Sequence, residues 1–275
     1  MTSAPGAASI EPRPARKRSL PLRTIALIVF DLDDTLLDER PGRTAGRAAM
    51  ERTLREALPG LSGRELGRAY DRCARWFWGD AERHRRGRLD LVAARSEVLT
   101  HTLAALGHDR PELAGRAAAS YVRAAEAAQV LMPGARSVLA GLRARGLRLV
   151  LLTNGAEAPQ SRKIARFGLA AAFDHVQIEG AFGRGKPERE AFLAAVDAVG
   201  ATPERAMMVG NDWRHDVVGG LEAGLHAAWV DVEGRGAPGV APRPHATIRS
   251  VEALPALLRA TEEESWEGPH APSPS

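Results

Sequence analysis

Short, uninterrupted apolar runs recur along this sequence, and stretches with helical periodicity separate them. Four such runs cover residues 25–30, 147–152, 206–209 and 227–230, and two weaker ones cover residues 173–178 and 246–248. A continuous apolar run of about four to six residues is typical of a strand that is buried on both faces. The pattern therefore predicts a parallel sheet covered by helices.

The stretches between these runs carry apolar residues three or four positions apart, as amphipathic helices do. They cover residues 137–145, 160–167, 188–199 and 217–223. Alternating buried strands and helices are typical of α/β domains, in which each connection crosses over the sheet. We therefore expect a Rossmann-like core, with a three-layer, doubly wound parallel sheet.

Residues 40–131 interrupt this alternation, because they contain no strand candidate. Leu66, Tyr70, Cys73 and Phe77 recur at steps of three and four, and similar spacing appears on either side of them. These patterns predict amphipathic helices. We expect a helical domain at residues 40–131, inserted into an α/β core that is formed by residues 23–39 and 132–260.

The two ends of the chain differ in composition from the rest. Residues 1–22 are rich in Ala, Pro, Ser and Arg without apolar periodicity, and residues 261–275 are rich in Glu, Pro and Ser. Such segments bury too little apolar surface to fold, so we expect a disordered basic arm and a disordered tail. The arm has no aromatic residue, which makes it weak evidence for a nucleic-acid partner.

Composition narrows the class of protein. The chain has 275 residues, of which 44% are hydrophobic and 26% charged, with a mild formal net charge of +4. Its single cysteine, Cys73, excludes a fold held together by intramolecular disulfides. The sequence has no apolar run of about 20 residues that would cross a membrane. We therefore expect a cytoplasmic protein without a membrane partner.

Polar residues follow three of the predicted strands, where parallel sheets bind ligands. They are Asp31, Asp33 and Asp34 after the first strand, Thr153, Asn154 and Gly155 after the second, and Asn211, Asp212 and Asp216 after the run at 206–209. Lys186, one of three lysines among 38 basic residues, lies in a loop between the last two groups. Taken singly, each group could be a turn or a helix cap. Together, clustered oxygen donors indicate a site for a hard cation such as Mg²⁺.

These motifs resemble those of the haloacid dehalogenase superfamily of aspartate-nucleophile hydrolases. The matching pieces are DLDDT at residues 31–35, TNG at 153–155, GKP at 185–187 and GND…D at 210–216. The helical insert resembles the C1-type cap that subfamily I carries after its first strand. The resemblance implies a phosphatase that hydrolyses a small phosphorylated metabolite with Mg²⁺ as cofactor.

The resemblance also implies catalytic roles. Asp31 is expected to attack phosphorus and form an aspartyl-phosphate. Asp33 is expected to protonate the leaving alkoxide and then to deprotonate the attacking water. Lys186 is expected to offset the negative charge that gathers around Asp31 and the phosphate. Phosphoryl oxygens are expected to bind the side chain of Thr153 and the amide of Asn154 or Gly155.

The metal ligands implied by the resemblance are Asp31, the backbone carbonyl of Asp33 and an acidic residue of the 210–216 motif. The family commonly has Gly-Asp here, but Asn211 follows Gly210 in this chain. A Mg²⁺ site favours negative charge, so we assign Asp212 as the direct ligand, with Asn211 as the alternative. Asp216 and Asn211 are expected to support the ligands from nearby positions.

Three other functions compete with this interpretation. A 2-haloacid dehalogenase needs neither a general acid nor a metal, whereas an alkoxide leaving group needs a proton, so Asp33 favours phosphate esters. A phosphomutase is compatible with the same motifs. A protein of another class would be a non-catalytic binding protein that uses the basic arm. The sequence identifies neither the substrate nor the oligomeric state.

Two clusters in the insert have either a structural or a substrate-binding interpretation. Trp76, Phe77 and Trp78 are more typical of a helix core than of a pocket, given their helical spacing. The basic run at residues 83–88 is more typical of a solvated helix face, although such a run can also attract an anionic substrate.

Overall fold

The central sheet has six parallel strands in the order β5-β4-β1-β6-β7-β8. This computed structural model describes residues 25–239 and 242–263. The strands of the chain are β1 (Leu27–Phe30), β2 (Leu37–Asp38), β3 (Val130–Leu131), β4 (Arg148–Thr153), β5 (His175–Ile178), β6 (Ala206–Gly210), β7 (His226–Val230) and β8 (Ala246–Ile248). The six predicted apolar runs are the six strands of this sheet, to within two residues at each end.

The helices of the core cover both faces of the sheet. They are α6 (Ala135–Ala144), α7 (Glu157–Arg166), α8 (Glu179–Phe182), α9 (Arg189–Asp197), α10 (Gly219–Glu222) and α11 (Leu254–Glu263). Alternate residues of β1 point to opposite faces, so Ile28 packs in one apolar cluster with Leu139 of α6, and Val29 packs in another with Phe192 of α9. The predicted doubly wound α/β fold is therefore confirmed.

The central position of β1 places its carboxyl end between those of β4 and β6. Val29 pairs with Val150 on one side and with Met208 on the other. The polar residues that follow these three strands therefore emerge at one edge of the sheet.

Five helices follow β2 and form the helical insert. They are α1 (Arg40–Ala57), α2 (Gly63–Trp78), α3 (Ala81–Leu89), α4 (Leu91–Ala104) and α5 (Pro111–Ala128). Their apolar faces enclose a cluster that includes Leu66, Phe77 and Leu99. Phe77 is buried there, whereas Trp76 is exposed, so the three adjacent aromatic residues do not share one environment.

The expectation that residues 40–131 contain no strand was wrong for the last two residues of this range. Val130 and Leu131 pair antiparallel with Asp38 and Leu37. Two residues are too few to give a periodic pattern, and their pairing partner lies about 90 positions away in the sequence, so only the folded chain reveals the pair. This ribbon joins the two connections between the insert and the core.

Two further boundaries differ from the sequence expectations. Helix α11 continues to Glu263, so the predicted disordered tail was wrong for residues 261–263, because a helix anchored by buried Leu254 and Leu258 extends at little cost. The turn after β6 is a π-helix, Trp213–Val218, that begins four residues before the predicted helix at 217–223. The predicted arm at 1–22 and residues 264–275 of the predicted tail lie outside the described residues. No helix in the described ranges is long and apolar enough to cross a lipid bilayer.

Candidate active site

A buried lysine lies between two carboxylates at the carboxyl edge of the sheet. The ammonium nitrogen of Lys186 is 2.6 Å from Oδ1 of Asp31 and 2.7 Å from Oδ1 of Asp216. Asp31 directly follows β1, Asp216 lies in the π-helix after β6, and Lys186 lies in the loop between α8 and α9. The side chain of Lys186 is 2% exposed. Residues from three distant segments therefore form one charged cluster.

The cluster has more negative than positive charge. Burial raises the pKa of Asp31 to about 7, and Asp216 raises it as well, while Lys186 opposes both effects. Burial by itself would lower the pKa of Lys186, but Asp216 and Asp31 hold it above its ordinary value. Lys186 is therefore a permanent cation that is shared by two carboxylates.

Gly210, the last residue of β6, leaves room for the Asp216 carboxylate. A β-carbon at position 210 would lie 2.2 Å from Oδ2 of Asp216. That oxygen accepts a hydrogen bond of 2.9 Å from the backbone amide of Asp212. The other oxygen, Oδ1, is buried and faces Lys186 without a hydrogen bond of good geometry. Asp216 is therefore fixed on one side and keeps an acceptor towards the cluster.

The side chain of Asn154 holds the loop that carries Lys186. Its Nδ2 donates to the carbonyl oxygen of Lys186, and its Oδ1 accepts from the backbone amide of Lys186, both at 2.8 Å. Gly155 donates its backbone amide to Glu179 at 3.0 Å, and the Thr153 hydroxyl accepts from Gln160 at 2.7 Å. The Thr-Asn-Gly segment thus lies beside the cluster, and most of its polar groups have partners within the protein.

Asp33 lies in the same loop as Asp31 but has different partners. Its Oδ1 accepts from the ammonium group of Lys163 at 2.8 Å, and its Oδ2 accepts from Gln160 at 3.0 Å. Burial raises the pKa of Asp33, but the charge and hydrogen bond of Lys163 outweigh it, so the pKa lies below its ordinary value. The protein therefore holds Asp33 as a carboxylate in this conformation.

Lys163 and Glu39 were not assigned to the site from the sequence. Lys163, on α7, also contacts Oε1 of Glu39 at 3.2 Å, and burial together with Asp33 raises the pKa of Glu39 to about 7. Gln129, at the end of the insert, donates to the same Glu39 oxygen at 2.7 Å. The scarcity of lysine was a usable indication, because Lys163 and Lys186, two of the three lysines, are both buried here.

The structure separates the two residues between which the metal assignment was open. The Thr35 hydroxyl donates to the amide oxygen of Asn211 at 3.4 Å, so this side chain faces the loop of Asp31. Asp212 contacts His215 instead: it accepts from the His215 backbone amide at 2.7 Å and lies 2.9 Å from its imidazole. Its side chain is 49% exposed. Asp212 thus caps the π-helix, and the contacts favour Asn211 as the residue facing Asp31.

The donors around Asp31 fit a magnesium ion in their chemistry. Within residues 25–239 and 242–263, no three acidic, histidine or cysteine side chains converge as a metal-binding group. Mg²⁺, however, commonly takes one or two carboxylates together with other oxygens and substrate phosphate. Asp31, Asp216 and the Asn211 amide supply oxygens, and two carboxylates with one ammonium leave a net negative charge. A phosphate would add to that charge, so a divalent cation suits this site.

The insert contacts the core beside this cluster. Arg88 of α3 makes a bidentate ion pair with Glu179, with distances of 2.7 and 2.6 Å. Glu179 is buried and also accepts from Gly155. The imidazole rings of His84 and His215 stack across the same interface, with their centroids 5.3 Å apart. Helix α3 of the insert therefore lies over the carboxyl edge of the sheet.

Comparison with known protein families and sequences gives consistent matches. The sequence model of the haloacid dehalogenase-like hydrolase family matches residues 25–224 of this chain. The chain is 36% identical to phosphoserine phosphatase of Thermus thermophilus over 74% of this chain and 88% of that protein. It is 30% identical to glyceraldehyde 3-phosphate phosphatase of Methanothermobacter thermautotrophicus over 75% and 85% of the two chains. These matches confirm the resemblance inferred from the motifs.

Solved structures share the fold. A HAD-hydrolase of Bacillus subtilis, solved with magnesium, superposes with a TM-score of 0.67 at 24% identity, covering 85% of this chain and 98% of that one. A 2-haloacid dehalogenase of Pseudomonas syringae gives a TM-score of 0.59 at 27% identity, covering 86% and 99%. Since proteins with different reactions share this fold, the site residues must decide the chemistry.

Proposed function

We propose that this phosphatase, which belongs to the haloacid dehalogenase-like hydrolase family, hydrolyses a small phosphate monoester with Mg²⁺ and a covalent intermediate on Asp31. The observation that carries the proposal is the position of Lys186 between Asp31 and Asp216. A buried ammonium beside a carboxylate at the end of a central strand can hold an incoming phosphoryl group against that carboxylate.

In the first step, an oxygen of Asp31 attacks phosphorus. A bond forms between that oxygen and phosphorus, and the bond from phosphorus to the ester oxygen breaks. Lys186 offsets the charge of the phosphoryl oxygens. We propose that the hydroxyl of Thr153 and the backbone amide of Asn154 bind those oxygens, since the segment that carries them holds the loop of Lys186.

The leaving alkoxide takes a proton from Asp33, and in the second step Asp33 takes a proton from the water that attacks phosphorus. This releases phosphate and regenerates Asp31. The contact with Lys163 favours the carboxylate form of Asp33, which suits the second step. To donate a proton in the first step, Asp33 must first take one up, against the effect of Lys163, which lowers its pKa.

The metal would be held by the Asp31 carboxylate, the Asp33 backbone carbonyl and the Asn211 amide oxygen, with Asp216 beside them. When bound, Mg²⁺ neutralises charge on the phosphoryl group. The contacts of Asp212 with His215 support Asn211 over Asp212 in this role. An amide ligand carries no charge, so the Asp31 and Asp216 carboxylates would supply the negative charge of the site.

The helical insert is proposed to act as the cap of the active site. Helix α3 lies against the core beside the cluster through Arg88 and His84. A cap excludes water and limits the size of the substrate. The phosphatase relatives are named for phosphoserine and glyceraldehyde 3-phosphate, both small metabolites, and we propose a substrate of that size.

Phosphate ester hydrolysis is favoured over dehalogenation by Asp33 and by the relatives. Displacement of halide needs no proton donor, whereas Asp33 lies two residues after Asp31 within a network that controls its charge. Two relatives that are at least 30% identical over more than two thirds of this chain are named as phosphatases. The cytoplasmic location stays a prediction.

The proposal is tested by the turnover of p-nitrophenyl phosphate with the full chain. Turnover should be lost with EDTA and restored by Mg²⁺. The Asp31→Asn variant should lose turnover while it keeps the circular dichroism spectrum of the native protein. Asp34→Asn, which makes the same change three positions along in the same loop, serves as the matched control and should retain turnover. Near-normal turnover by Asp31→Asn would remove Asp31 from the mechanism.

A further inference from the structure

The indole of Trp229 contacts the loop that carries the proposed metal ligand Asn211. Trp229 is a buried residue of β7, and it pairs in register with Gly210, the last residue of β6. Paired residues of neighbouring parallel strands point to the same face of a sheet, so the indole leaves the sheet on the face where Asp216 lies against Gly210. Its Nε1 donates a hydrogen bond of 2.9 Å to the backbone carbonyl oxygen of Asn211. This contact joins β7 to the turn that follows β6.

The peptide group between Asn211 and Asp212 is held at both ends. Its carbonyl oxygen accepts from Trp229, and its N–H, which is the backbone amide of Asp212, donates to Oδ2 of Asp216 at 2.9 Å. The carbonyl and the N–H of a trans peptide point in opposite directions, so the two hydrogen bonds hold the group from opposite sides. Asp216 in turn contacts Lys186 at 2.7 Å through its other oxygen. Trp229 is therefore connected to the charged cluster through one peptide group.

The side chain of Asn211 is held less firmly than its backbone. The Thr35 hydroxyl donates to its Oδ1 at 3.4 Å, which is long for a hydrogen bond between two oxygen atoms. An amide oxygen also has no formal charge with which to attract a cation. The backbone that Trp229 holds therefore has a large share in directing this side chain. Groups that support a metal ligand from behind typically change metal affinity or activity by about 10–100-fold when they are replaced.

We propose that Trp229 is a positioning residue for the magnesium ion, because its indole N–H fixes the backbone from which the Asn211 side chain extends. This inference rests on the proposed function, since it concerns the metal of the same site. The competing interpretation is that Trp229 only packs in the core and that the hydrogen bond satisfies a buried N–H. Trp229 does pack with Val217, and its ring meets that of Trp213 edge-on with centroids 5.1 Å apart.

The two interpretations predict different results, because lost packing lowers stability whereas a lost positioning contact lowers the metal affinity of the folded protein. Trp229→Phe keeps an aromatic ring but has no group that can donate to the Asn211 carbonyl oxygen. Mn²⁺, which accepts the same kinds of oxygen ligand as Mg²⁺, is titrated into the full chain, and the free ion is measured by its electron paramagnetic resonance signal. We expect the dissociation constant for Mn²⁺ to rise about tenfold in this variant.

Turnover provides a second measurement on the same variant. The Mg²⁺ concentration needed for half-maximal hydrolysis of p-nitrophenyl phosphate should rise by a factor similar to that for Mn²⁺ binding. At saturating Mg²⁺, turnover should return close to that of the native protein, because the metal then occupies the site despite the weaker positioning.

Trp213→Phe is the matched control. It makes the same substitution in the ring that packs against Trp229, and within the ranges that the structure describes the indole of Trp213 donates no hydrogen bond. This variant should also lose stability in thermal unfolding, but it should bind Mn²⁺ as the native protein does. Both variants are compared at a temperature at which their circular dichroism spectra match that of the native protein.

Unchanged Mn²⁺ binding by Trp229→Phe, or an equal loss of affinity in both variants, would overturn the inference. If Trp229→Phe does not fold, the native protein labelled with ¹⁵N-tryptophan replaces it. The indole N–H resonance of Trp229, assigned by elimination through Phe variants of the other tryptophans, should then shift when Mg²⁺ is added, and an unmoved resonance overturns the inference.

These outcomes leave the proposed function intact, because the native chain still hydrolyses p-nitrophenyl phosphate with Mg²⁺. The proposed function itself fails, and this inference with it, if the native chain does not hydrolyse p-nitrophenyl phosphate or hydrolyses it equally well in EDTA.

Discussion

Lys163 holds Asp33 by an ion pair of 2.8 Å between its ammonium nitrogen and Oδ1 of the carboxylate. The same ammonium contacts Glu39 at the start of the insert, and Glu39 accepts from Gln129 at the end of the insert. Asp33 is thus connected to both chain segments that join the insert to the core. A movement of the insert would therefore be transmitted to Asp33 through Lys163.

Replacement of Lys163 by Met should lower kcat for p-nitrophenyl phosphate by about tenfold or more, with a smaller change in KM. The reason is that Asp33 loses its position, and general acid–base catalysis contributes about 10²–10⁴-fold when the group is well placed. Lys163→Arg keeps the charge and should recover part of kcat. Arg162 lies next to Lys163 on helix α7 and forms an exposed ion pair with Glu126 of α5. Arg162→Gln, which removes this pair, is the control. An unchanged kcat in Lys163→Met would show that Asp33 is not positioned by this contact.

Replacement of Lys186 by Met should abolish turnover and also destabilise the protein. Removing one partner from a buried ion pair leaves uncompensated charge and costs about 3–5 kcal/mol. Here it leaves the buried carboxylates of Asp31 and Asp216 side by side. Urea denaturation measures the loss of unfolding free energy. The double variant Lys186→Met/Asp216→Asn should regain much of the stability but no turnover. If the single variant were as stable as the native protein, the ion pairs would not be buried as described.

Lys186→Arg keeps the charge but should still impair turnover severely. The side chain is enclosed at 2% exposure, and the planar guanidinium is larger than an ammonium group and differs from it in shape. Steady-state kinetics on p-nitrophenyl phosphate checks this expectation. Unaffected kinetics would contradict the requirement for a compact ammonium between the two carboxylates.

Replacement of Gly210 by Ala should displace the Asp216 carboxylate. The added methyl group would lie 2.2 Å from Oδ2 of Asp216, and overpacking of this kind typically costs about 1–3 kcal/mol. Turnover should fall with it, because Asp216 positions Lys186. Gly141→Ala makes the same change on helix α6, where a β-carbon meets no atom within 4 Å. That control should be at least as stable as the native protein. Thermal unfolding measures the stability of both variants, and steady-state kinetics measures their turnover.

The magnesium requirement should respond to residue 211 more than to residue 212. Asn211→Ala should raise the Mg²⁺ concentration needed for half-maximal turnover, and Asn211→Asp should lower it because it adds a charge to the site. Asp212→Asn should change stability little, because asparagine caps a helix about as well as aspartate. A larger shift in the Mg²⁺ requirement for Asp212→Asn than for Asn211→Ala would restore Asp212 as the direct ligand.

Stability should fall at acid pH partly through His84. Burial, His215 and Arg88 lower the pKa of His84 below 6.5, against the weaker opposing effect of Asp212 and Glu179. Below pH 6.5 the unfolded chain therefore binds a proton that the folded protein takes up only at lower pH, so the unfolding free energy decreases as the pH falls.

The His84→Gln variant lacks this histidine, so the decrease in unfolding free energy that His84 causes at low pH is absent. The difference in unfolding free energy between pH 7.5 and pH 5.5, measured with urea, should be smaller than in the native protein. Equal pH differences in the two proteins would mean that the pKa of His84 is not lowered in the folded state.

The strands and the order of the motifs could be predicted because both are local properties of the sequence. An apolar run of about four to six residues is recognisable wherever it lies. A polar residue directly after such a run must emerge at the carboxyl edge of the sheet, as Asp31 does after β1. The two-residue strands β2 and β3 could not be predicted, because a pair so short depends on a partner far along the chain.

By itself, then, the sequence determined the α/β fold, the helical insert as a region of amphipathic helices, and which segments bring carboxylates, a hydroxyl and a lysine to one edge. Only the tertiary structure decided the partners: Lys186 lies between Asp31 and Asp216, Lys163 holds Asp33, and Asp212 turns to His215. It likewise engaged the arginines of the basic run, Arg83, Arg86 and Arg88, with partners within the protein. The physical reason is that ion pairs depend on distances of a few ångström between segments far apart in the chain, and residue order alone does not specify those distances.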